Sequence, residues 1–70
     1  MSGHNPVRLE AGHNHVLAWC RQCPPWRELA WDRPEALRAA ANHVQLVHGD
    51  ERTANVLRQR ATAQARHADR

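Results

Sequence analysis

Seventy residues with a mean hydropathy of −0.81, a formal charge of +3 and a pI near 10.1 make one small basic domain at most. The large apolar residues number fourteen, five Val, six Leu and three Trp, with no Ile, Phe or Tyr. Ordering a chain costs roughly 1.5 kcal/mol per residue, so this inventory excludes a self-sufficient core and calls for a staple. No apolar run approaches a membrane span, and MSGHNPVRLE lacks the hydrophobic stretch of a signal peptide, so the expectation is a cytoplasmic protein with reduced thiols and no membrane partner.

In chain order, Val7 to Ala11 alternates as a short strand with one buried face. His15 to Trp19 and Trp26 to Trp31 read as two further strands that can pair as a hairpin around Cys20 and Cys23. A helix then starts with Asp32 as cap, Pro34 in the first turn and Glu35 completing an Asp-x-x-Glu box. Leu37, Ala40, Ala41, Val44 and Val47 recur at helical spacing and are expected to cover the hairpin, with Gly49 as the stop. From Asp50 onward the composition favours a second helix with a frayed end, its apolar stripe being Leu57, Ala61, Ala65 and Ala68.

The chemistry lies in WCRQCPPW and HVQLVH. A bridge between Cys20 and Cys23 would close a very small loop and constrain the unfolded chain little. A redox pair is the alternative, but Pro24 pushes Cys23 away from the helical angles that a thioredoxin-type site needs. Nineteen residues separate Cys23 from His43, and four separate His43 from His48. Two thiolates on a turn and two imidazoles at a helix end suit a tetrahedral zinc site. Residues five apart on an ideal helix point about 140° apart, so the last turn must loosen, which Gly49 permits. His13 and His15 stand as candidates to replace a helix histidine. With four protein ligands the site would be closed, and no enzyme activity is expected.

WCRQC, the capped helix and HVQLVH together resemble the zinc fingers with two Cys and two His, above all the small single-finger proteins of actinobacteria and their phages. The likeness covers residues 15–49 and departs from the DNA-reading fingers in its long spacer, since theirs is about twelve residues. It implies a small zinc-stapled α+β fold: a ββα unit, with the N-terminal strand as a third, followed by a second helix. The chain then divides into an arm or strand at 1–14, the finger-like core at 15–49 and an Arg- and Ala-rich helix or tail at 50–70. One structural zinc held by Cys20, Cys23, His43 and His48 is the expected cofactor.

A nucleic-acid-binding regulator of DNA or RNA is the functional expectation, with Arg38, Asn42 and Gln45 on the outward face of the first helix and Arg52 and Arg58 on the second as contacts. The alternative is a zinc-stabilised adaptor that binds or inhibits a host protein, suggested by Leu46 and the alanine stripe; a homodimer through the C-terminal helix is a further expectation. Trp19, Trp26 and Trp31 are expected mainly as core around the metal, with base stacking as the competing role.

Overall fold

A computed structural model describes residues 6–23 and 25–68. Pro24, the ends of the 1–14 and 50–70 segments, and the side chains of His67 and Ala68 lie outside the described residues. Three strands, β1 (Val7–Ala11), β2 (Val16–Cys20) and β3 (Arg27–Ala30), precede two helices, α1 (Arg33–Leu46) and α2 (Glu51–Ala68). The strands form one antiparallel sheet in the order β1-β2-β3, so the expected hairpin gains the N-terminal strand as its third member. The fold is the small α+β unit expected from the sequence.

Alternation along β2 decides what faces the helices. Val16, Ala18 and Cys20 are buried, which sends Leu17 and Trp19 to the opposite face. Trp19 is therefore not a core residue: it sits across from Arg8 on β1 and Arg27 on β3, in the middle of the outer face. Trp31 is a second correction. It follows inward-facing Ala30 and is 82 % exposed, with only its backbone N–H engaged, donating to Glu35 Oε1 at 2.6 Å.

Asp32 opens α1 as expected, accepting from the Glu35 amide at 2.9 Å. Replacing it with Ala should cost about 1 kcal/mol, read as a lower unfolding midpoint of the metal-loaded protein with unchanged metal content. Ala36, Leu37, Ala40, Ala41 and Val44 turn their side chains to the core. Val47 does not, being 59 % exposed. Its amide donates to both His43 and Val44 carbonyls, so the last turn tightens and leaves the register that the earlier apolar residues share.

Gly49, at φ +65°, reverses the chain between the helices. The Val44 carbonyl accepts from His48 and Asp50 amides, and Asp50 then caps α2 through its carboxylate to the Thr53 amide at 3.0 Å. Hydrogen bonding from the Thr53 side chain, then from its amide, holds the Asp50 carboxyl below its ordinary range. Ala54, Leu57 and Ala61 of α2 are buried in the same core as Val7, Ala18, Cys20, Leu37 and Val44. Of the expected stripe, Leu57 and Ala61 thus pack within the chain with Ala54 beside them, Ala65 is half-buried and the Ala68 side chain lies outside the described residues; small side chains on both helices permit close approach.

Candidate metal centre

Cys20 ends β2, Cys23 lies in the bend that follows, His43 projects from α1 and His48 sits in the turn beyond the end of α1. One ligand atom from each comes within 4.8 Å of the other three. Neither cysteine opens a helix, which removes the structural basis of the thioredoxin-type reading. The last turn of α1 tightens rather than loosens, and this change of register resolves the angular difficulty: the His43 and His48 rings stand edge to face with centroids 5.1 Å apart.

The distances suit coordination. A tetrahedral ion with sulfur at about 2.3 Å and nitrogen at about 2.0–2.1 Å spaces its ligand atoms by about 3.3–3.8 Å. His48 Nε2 lies 3.4 Å from Cys20 Sγ and 3.7 Å from Cys23 Sγ. His43 is 5 % exposed, and its Nε2 is buried with no hydrogen-bond partner among the described residues. Such an orphan costs about 1–3 kcal/mol unless something takes it up. A cation bound by the two thiols would do so.

Trp26 supplies a feature the spacing did not reveal. Its indole stacks on the His43 imidazole, with centroids 4.1 Å apart and planes inclined by 22°. The ring thereby fixes one ligand's orientation while its own edge packs against the core. Among the three tryptophans it is the one that meets the expectation of packing around the site.

His13 and His15 do not compete for the ion. They occupy the β1–β2 turn, and the length of β2, roughly 13 Å at 3.3 Å per residue, separates them from the cysteines. The His15 ring folds onto Gly12 instead, where an added Cβ would come within 2.6 Å of it.

Electrostatics set the protonation of the metal-free site. Burial, then the hydrogen bond and charge of Cys20, push the Cys23 thiol up, while burial and then His48 push the His43 imidazole down. At neutral pH His43 is therefore a ready neutral donor, and Cys23 must give up a proton to bind a cation. Affinity should consequently fall with pH, by about tenfold per unit for each thiol proton displaced. A chelator-competition titration across the neutral range checks the sign: affinity that rises on acidification would contradict it.

Of the other residues singled out in the sequence, Arg38 and Arg52 are exposed. Asn42, Gln45 and Arg58 come together: Arg58 Nη2 donates to Asn42 Oδ1 at 3.1 Å and also to Gln45 Oε1. The polar groups proposed to read bases from α1 thus hold α2 in place.

No family model matches the chain, and neither the curated proteins nor the solved structures compared with it yield a match. Fold and site together define a compact α+β unit with a Cys2His2 group suited to a metal ion. Among the described residues no helix is long and apolar enough to cross a membrane.

Proposed function

We propose that the protein is a nucleic-acid-binding regulator built on one structural zinc held by Cys20, Cys23, His43 and His48. Two soft thiolates with two imidazoles in a tetrahedral spacing favour zinc over the oxygen-seeking cations. Bound zinc supplies a crosslink between the β2–β3 bend and the end of α1, with no coordination position left for a substrate. The resemblance to small single-finger proteins agrees with this reading.

The observation that carries the nucleic-acid part is an excess of uncommitted guanidinium. All ten basic residues of the chain are arginines. Of the described arginines only Arg58 has a side-chain hydrogen bond, and none is in an ion pair. Exposed charge of this kind is suited to phosphate and makes binding strongly salt-dependent. One finger-sized unit buries a modest interface, so high specificity requires a dimer or a partner protein. The test is binding of the zinc-loaded protein to nucleic acid at several salt concentrations, with Arg38→Ala and Arg52→Ala as variants. Salt-independent binding, or none, contradicts the proposal.

A protein-adaptor role is the second reading, favoured by one patch. Leu46 and Val47 are 82 % and 59 % exposed and border a groove with Trp26, Ala39 and Asn42. Binding to a protein that survives the arginine changes and fails on Leu46→Asp would establish it in place of the first.

A further inference from the structure

We propose that the phosphates of the nucleic acid seat in the groove between β1, the start of α1 and α2, on Arg8, Arg33 and Arg60. This rests on the nucleic-acid reading above and moves the contact surface away from the outward face of α1.

The groove has a volume of about 280 Å³ and is lined by Val7, Arg8, Leu9, Arg33, Leu37, Ala40, Leu57 and Arg60. Its floor is apolar and largely buried, exposed Arg33 and Arg60 rim its helix side, and exposed Arg8, which alternates to the outer face of the sheet with Trp19, borders it at the free edge of β1. Among the described residues no carboxylate lines it. None of the three guanidinium groups has a hydrogen-bond or ion-pair partner among the described residues. Exposed like charges along one apolar groove create a positive potential that favours an anion.

Arg33 is the most telling of the three. It occupies the first position of α1, where the helix dipole disfavours a cation and favours an anion. Both acids beside it are committed to the helix start, Asp32 to the Glu35 amide and Glu35 to the Trp31 amide. Arg33 is therefore placed against its own helix dipole, with no hydrogen-bond or ion-pair partner for its side chain among the described residues. On α1, by contrast, Asn42 and Gln45 are already bonded to Arg58.

Three guanidiniums spanning β1, α1 and α2 suit a phosphodiester backbone, contacted without regard to base sequence. Each phosphate neutralised on duplex DNA contributes about 0.9 to the salt slope, so three contacts weaken binding roughly 40-fold between about 50 and about 200 mM salt.

The experiment uses the zinc-loaded full chain and a short fluorescently labelled duplex of random sequence, with anisotropy read across that salt range. The triple variant Arg8→Gln, Arg33→Gln, Arg60→Gln is compared with Arg38→Gln, Arg52→Gln. The proposal expects the triple variant to lose this roughly 40-fold salt response and most low-salt affinity, at unchanged zinc content. Arg33→Gln alone should weaken binding without lowering thermal stability, because it removes a charge the helix dipole opposes. Amide shift changes in the wild type on adding duplex should centre on residues 7–9, 33 and 57–60, which tests the site without any variant. Wild-type affinity and slope in the triple variant, with the loss appearing in Arg38→Gln, Arg52→Gln or the shifts centring elsewhere, would overturn the groove and leave the nucleic-acid reading standing. Absence of duplex binding by the wild type at low salt would overturn both.

Discussion

Chelating the metal from the purified protein is expected to unfold it. The buried side chains are mostly small: Ala18, Ala30, Ala36, Ala40, Ala41, Ala54 and Ala61 outnumber the fully buried Val and Leu. Several of the larger apolar groups, Leu29, Trp31, Leu46 and Val47, contribute nothing to the core because they face solvent. A structural zinc contributes about 10–16 kcal/mol in finger peptides, whereas whole small domains are stable by about 5–15 kcal/mol. Losing the first term therefore exceeds what remains. The ligands also come from the two regions that the sheet and α1 must bring together, so the loss is global. Amide spectra should collapse to the narrow dispersion of an unfolded chain on adding chelator and recover with zinc; retained native dispersion would show that the core suffices by itself.

The second large effect is expected at Leu57, the largest fully buried side chain. It stands on α2 between Ala54 and Ala61 and shares the core with Val7 and Leu37. Leu57→Ala should cost about 2–5 kcal/mol, through lost burial and the cavity left behind. Because all four ligands precede α2, zinc content should survive while α2 comes away from α1. Denaturation of the zinc-loaded variant, with amide exchange along residues 51–66, separates the two effects. Unchanged stability would mean that α2 is not part of the cooperative unit.

The elements were legible from the sequence where a local rule is strong. The Asp32, Pro34 and Glu35 start of α1 depends on backbone amides a few residues away, and β1 showed in its alternation. The four ligands were legible because their spacing encodes a turn and a helix end. Trp19 and Trp31 were misread for one reason: their large area suggested burial, but Cys20 and Ala30 must face inward, and the adjacent residue on a strand then faces out. Val47 fits the helical period and misses the core because the chain leaves that period to deliver His48. The Trp26 and His43 stack and the Arg58 latch join elements distant in the chain, and no local spacing announces such contacts.

The most direct test of the central claim, that Cys20, Cys23, His43 and His48 form a metal staple, is native mass spectrometry of protein purified without added metal. Cys20→Ser and His48→Ala should be weighed beside His13→Ala and His15→Ala. One zinc per chain, lost in the first pair and kept in the second, is the expected result. Metal-free wild type with Cys20 and Cys23 oxidised to each other, or zinc that persists in Cys20→Ser and His48→Ala, would contradict the account.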